Sequence, residues 1–175
     1  MVDMKLTSLT VVATTFFVAS TALAQAPSAP GKKIQINAAS TEALSIIGTQ
    51  YFIAGTLAKT CVATLGKPEL YTKEVQNQWI KNNQKFMDAL TIYQGALFES
   101  IEAKFGKEKL EIEKVRVRQI TINQGTAMVD QFMARGEKSI LCVKVDQGLT
   151  SGYFDITPKF PLYPEAMALV QATMP

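Results

Sequence analysis

Two cysteines, Cys61 and Cys142, carry the most definite chemistry in this sequence. A redox pair usually sits two residues apart, and two isolated thiolates make a poor metal site without further Cys or His. Far apart in an exported chain, they are expected to close as a structural disulfide. Closing a loop of this length is worth roughly 4 to 5 kcal/mol by chain entropy, comparable to the whole net stability of a small domain.

The chain contains no histidine. That removes the commonest general base, the usual zinc ligand and every Ser-His or Cys-His nucleophile arrangement. Carboxylates remain as acid–base groups. Glu99 and Glu102 stand one helical turn apart, and Glu108, Glu111 and Glu113 cluster, but all are interleaved with Lys or Arg as on a solvated face. Asp155, between Phe154 and Ile156 and just after Gly152, fits a carboxylate that holds backbone amides at a turn, and only secondarily a ligand contact. Met87, Met128, Met133, Met167 and Met174 raise Cu(I) binding, yet their scatter suits core filling better. There is no phosphate-binding glycine loop, nucleophile elbow or acidic metal loop. No catalytic residue, metal or cofactor is therefore expected.

Of the 175 residues, 47% are hydrophobic and 19% charged, with a net charge of +3. This composition supports a packed core, and the length fits a leader plus one domain. Lys5 precedes an uncharged stretch, Leu6 to Leu23, that ends in Ala22-Leu23-Ala24. The pattern predicts a signal peptide over 1–24, cleaved after Ala24, and a periplasmic or secreted product with no membrane span. Hydroxyl residues within the run, such as Thr14, Thr15 and Ser20, weaken the alternative of a membrane anchor. Removing the leader removes Asp3 and Lys5 together, so the charge stays mildly positive. Basic residues scattered among Glu argue against a nucleic-acid partner.

The elements that must position these residues read as a small, mainly α bundle of four to five helices in a single domain over 38–175. Residues 25–37 form an extended lead-in, QAPSAPGKK followed by Ile34-Gln35-Ile36. A first helix, capped by Ser40 or Thr41, carries Leu44, Ile47, Tyr51, Ala54, Ala58, Cys61 and Leu65 at helical spacing, with Gly66 and Pro68 as its stop. A second begins near Glu69 to Thr72 and runs to Phe105, closed by Gly106. Its stripe is Val75, Trp79, Phe86, Leu90, Tyr93, Leu97 and Ile101, and unbroken it would reach about 50 Å.

Leu110 to Ile122 is ambiguous, because its apolar residues change phase twice. Helix is the preferred reading, with a strand paired to Ile34–Ile36, and hence an α+β fold, as the alternative. Asn123-Gln124-Gly125 is expected to break the chain before a helix capped by Thr126 that ends at Gly136. A helix over Lys138 to Ser151, capped by Gly152, would be clamped to the first by Cys142. The tail, 153–175, is rich in proline and aromatics, with Pro164 opening a short terminal helix.

Function follows by elimination. A non-catalytic protein-binding module fits best, as an inhibitor, immunity-type protein, chaperone or assembly factor whose partner is another exported or envelope protein. Its candidate surface joins the tail residues Tyr153, Phe154, Asp155, Phe160 and Tyr163 to the helix bearing Trp79, Asn82, Asn83, Phe86 and Tyr93. The competing reading makes these aromatics core, with Asn83 a buried amide tied to a neighbour's backbone. The alternative function is a carrier of a small apolar ligand in an inter-helix cavity lined by Trp79, Asn83 and Tyr93.

Overall fold

The computed structural model describes residues 34–174. The proposed leader, 1–24, and most of the lead-in lie outside them. Five helices follow in order: α1 (Ala38–Cys61), α2 (Leu70–Asn82), α3 (Gln84–Met133), α4 (Lys138–Thr150) and α5 (Tyr163–Thr173). The fold is mainly α, and the chain is closed by one disulfide between Cys61 and Cys142, whose Cα atoms lie 5.2 Å apart.

α1 is the central element, packing against each of the other four helices. Its charged residues are few, and Leu44, Ile47, Ala54, Leu57, Ala58 and Cys61 are all buried. A helix apolar around most of its circumference must be covered on several sides. Its N-cap is Asn37 rather than Ser40 or Thr41. The Asn37 side chain accepts a 2.9 Å hydrogen bond from the Ser40 amide, and the Thr41 hydroxyl reaches back to the Asn37 carbonyl. Asn37 takes an extended backbone, leaving its short side chain free to cover the first amides.

The long second helix of the sequence reading is two helices. At Asn83 the backbone leaves helical geometry (φ −109°, ψ 22°) for one residue, and α3 starts immediately after it. Buried bonds made by the Asn83 side chain hold this break, as described below.

α3 itself turns at Gly106, which adopts φ 83° and ψ 172°. That region is open in practice only to glycine. The helix end foreseen at Gly106 is thus an elbow, and the two arms, 84–105 and 107–133, fold back on one another. Lys114 Nζ lies 5.9 Å from the centre of the Phe98 ring, eight residues to either side of the elbow. Further down, a Cβ on Gly48 of α1 would meet Leu90 of the first arm at 3.9 Å and Thr121 of the second at 3.8 Å.

The second arm settles the ambiguous segment. Leu110 to Ile122 is helical, and Ile34–Ile36 precede α1 in irregular backbone, so the α+β alternative is corrected: no strand occurs among the described residues. The phase changes arise because the arm has apolar residues on two sides. Leu110 and Val117 turn inward, while Ile112 and Val115 turn out. Nor does the helix break at Asn123-Gln124-Gly125. Gly125 stays inside it because Phe52 packs on its backbone, where a Cβ would fall 2.3 Å from the ring. α4 follows the expected span closely, and α5 carries Pro164 in its first turn.

Candidate functional site

Asn83 is the centre of a polar corner at the α2–α3 junction. It is 1% exposed. A buried amide must place both its donor and its acceptor. Its Nδ2 donates to the Trp79 carbonyl at 2.8 Å and to Asp155 Oδ1 at 3.1 Å, while its Oδ1 accepts the Ile156 amide at 2.7 Å. Asn82, on the surface, donates to Asp155 Oδ2 at 2.9 Å, and the Trp79 indole donates to the Phe154 carbonyl at 2.9 Å. Gly152, at φ 75°, lets the chain turn tightly enough for Asp155 to face the asparagines. A Cβ there would sit 2.7 Å from Asp155 Oδ2. The corner therefore brings together Trp79, Asn82, Asn83, Phe154 and Asp155 as a tie between the helix break and the tail.

The remaining aromatics lie elsewhere. Tyr93 is fully buried, its hydroxyl 3.1 Å from that of Thr41, and burial raises its pKa above the usual tyrosine value. Phe86 is buried edge-on to Tyr163, with Lys85 above both rings. Phe154 and Phe160 are half-buried against the core, and only Tyr153 of the tail aromatics stands exposed. Trp79, Asn83 and Tyr93 are all committed to packed, hydrogen-bonded positions. None of the three lines the open groove of about 620 Å³ between the start of α1 and α5, where Gln35, Asn37, Ser40, Pro164 and Glu165 stand.

A second polar group lies by the disulfide. The buried Tyr71 hydroxyl donates to Asp146, which also pairs with Lys67 at 3.4 Å. Desolvation first, then the hydrogen bond to Asp146 and its charge, hold the Tyr71 phenol well above the usual range. No cluster of three or more His, Cys, Asp or Glu able to hold a metal occurs among the described residues. No described helix is long and apolar enough to cross a membrane.

The surface that the sequence reading missed is the tip of the α3 hairpin. Asn37, at the start of α1, is level with Tyr93, whose hydroxyl reaches the Asn37 carbonyl at 3.5 Å. Ser45 and Thr49 of α1 meet Gln124 on the second arm. Between these two contacts the arms run on past the N-terminal end of α1, and from Gln94 to Ile122 only Leu110 is fully buried, with Leu97 half-buried against the core. Phe105, Ile112 and Val115 are exposed by 56%, 53% and 67%. Local pairs hold part of the tip's charge, Lys109 with Glu113, Lys114 with Glu111 and Arg116 with Glu113. The bonds from Lys109 and then Arg116 keep the Glu113 carboxyl below its ordinary pKa. The available signal was the double phase change itself, since an apolar pattern facing two ways marks a helix with a second, unburied face.

No family model, characterised protein or solved structure matches the chain.

Proposed function

We propose that this chain is an exported, non-catalytic protein-binding module that presents the projecting α3 hairpin to another exported or envelope protein. One observation carries this reading: a helical hairpin extends beyond the core with Phe105, Ile112 and Val115 largely open to water. Large apolar side chains concentrated on a projecting element mark interaction sites, whereas single exposed ones are ordinary. The Cys61–Cys142 disulfide supports work in an oxidising compartment, and so does the leader pattern of 1–24 in the sequence. The aromatics of the polar corner and tail support the same reading indirectly. Except for Tyr153 they pack against the core, so the tail offers little apolar surface, while exposed Leu70, Ile140 and Val143 stand apart from the hairpin on α2 and α4.

Site-specific photo-crosslinking of the full chain in living cells tests this. A photoreactive residue at Ile112 or Phe105 is expected to give a discrete adduct, and one at exposed Lys159 in the tail to give none. Adducts from Lys159 with none from either hairpin position would remove the hairpin from this role.

A further inference from the structure

We infer that the outer face of the second α3 arm pairs with the same face of a second copy of this chain, as an antiparallel helix pair in which Ile112 of each copy packs on Val115 of the other. The inference rests on the reading of the hairpin as a docking element, and names its partner.

At about 100° per residue, Ile112 and Val115 share one side of the arm, opposite the inward-facing Leu110, Val117 and Thr121. Their exposures of 53% and 67% agree with that placement. A two-fold contact requires a patch complementary to itself, with each residue meeting its partner reciprocally. A dyad midway between Glu113 and Lys114 meets this condition for the apolar pair, because Ile112 and Val115 are equidistant from it. The same dyad brings Glu108 level with the other copy's Arg118 to within one residue, about 1.5 Å along the axis. Both are exposed, and neither has an ion-pair partner among the described residues. Two such pairs form by symmetry, one at each end of the apolar centre. On the opposite flank, Lys109 and Arg116 are already held by Glu113 of their own chain. Apolar register and free charge thus select the same two-fold, which an unrelated partner would have no reason to match.

The contact is one helix wide and about 24 Å long over 16 residues, well below the roughly 800 Å² per partner of a standard interface. A dissociation constant of about 10 to 100 µM is expected.

Sedimentation equilibrium of the full chain from about 5 to 500 µM brackets that value. The mean mass is expected to rise from one chain toward two. Val115→Glu, Glu108→Arg and Arg118→Glu should each weaken association by about tenfold, with circular-dichroism melts unchanged. The double variant Glu108→Arg/Arg118→Glu should restore the wild-type midpoint, which a merely structural role for either residue would not produce. A single chain mass throughout, a dimer indifferent to all three substitutions, or a double variant without rescue would each overturn the pairing. The hairpin reading fails separately. A monomeric chain whose Ile112 crosslink yields an adduct with a different protein defeats only the second copy as partner, whereas a monomeric chain with no hairpin adduct defeats both.

Discussion

The corner around Asn83 and the tip of the α3 hairpin are both helical, and they are held by opposite means. At the corner, two segments more than seventy residues apart, the α2–α3 junction and the turn at 154–156, meet through hydrogen bonds from Trp79, Asn82 and Asn83. Asn83 joins α2 and α3 to the Asp155–Ile156 turn, and the Cys61–Cys142 bridge ties α1 to α4 a short way off. At the tip, the hairpin relies on the Gly106 elbow and on ion pairs three or four residues apart. Local pairs of that kind contribute only about 0.2–0.5 kcal/mol each. The molecule therefore has a cross-linked end and a locally supported end, and the latter leaves Phe105, Ile112 and Val115 open to water.

The strongest way to break this contrast is to remove the covalent link. Reduction, or Cys61→Ala with Cys142→Ala, releases a constraint across 81 positions. A loss of about 4 kcal/mol is expected. Chemical denaturation followed by the fluorescence of Trp79, the single tryptophan, reports directly on the adjoining core. A midpoint unchanged by reduction would show that the clamp carries no stability.

Asn83→Ala comes next. It deprives the buried Ile156 amide of its acceptor and removes the donor shared by Trp79 and Asp155. An unsatisfied buried amide alone costs about 1–3 kcal/mol, so a total near 3 kcal/mol is expected, with a shift in Trp79 emission as the tail loosens. Asn82→Ala, which removes two exposed bonds, to Asp155 and from Gln78, should cost less than about 0.5 kcal/mol.

These two residues also show how far the sequence could be read. Helix periodicity, the Gly106 stop, the proline at the start of α5 and the cysteine pair were all legible, because each depends on local chemistry or on compartment. The break at Asn83 was not, since asparagine is tolerated within helices and its non-helical backbone is fixed by Ile156, more than seventy residues away. Gly125 misled in the reverse sense. It looks like a breaker, yet a residue without a side chain is what the Phe52 ring requires there. The exposed Ile112–Val115 face was present as a phase irregularity, but an irregularity does not say which side of a helix will be covered.

At the hairpin, Gly106→Ala forces a Cβ into a backbone region that L-residues avoid, and a cost of about 2 kcal/mol is expected. Hydrogen exchange should locate the loss. Amides in 94–122 should lose protection, while those of α1 and α4 keep theirs. Uniform loss across both regions would mean that the hairpin and the core unfold as one unit.

The smallest effects are the most discriminating, because pH should act on the two regions in opposite directions. Tyr71 has its pKa raised above the usual tyrosine value of about 10 by burial, by its hydrogen bond to Asp146 and by that residue's charge. A raised folded pKa means that the protonated phenol contributes stability in full below pH 10, and that this contribution fades as the pH climbs toward the folded value. Glu113 in the hairpin has its pKa lowered from 4.5, chiefly by the bond from Lys109 and then by that from Arg116. Its contribution is present above pH 4.5 and is lost as the pH falls through the depressed value. Tyr71→Phe is expected to cost about 1 kcal/mol at neutral pH and to flatten the alkaline loss of the denaturation midpoint relative to wild type. Glu113→Gln should cost about 0.5 kcal/mol and flatten only the acid response. NMR resonances of Ile112 and Val115 should follow the Glu113 titration while Trp79 stays unmoved. If acid disturbs Trp79 and the hairpin together, the ion pairs of the second arm are coupled to the corner, and the division into a cross-linked end and a locally supported end does not hold.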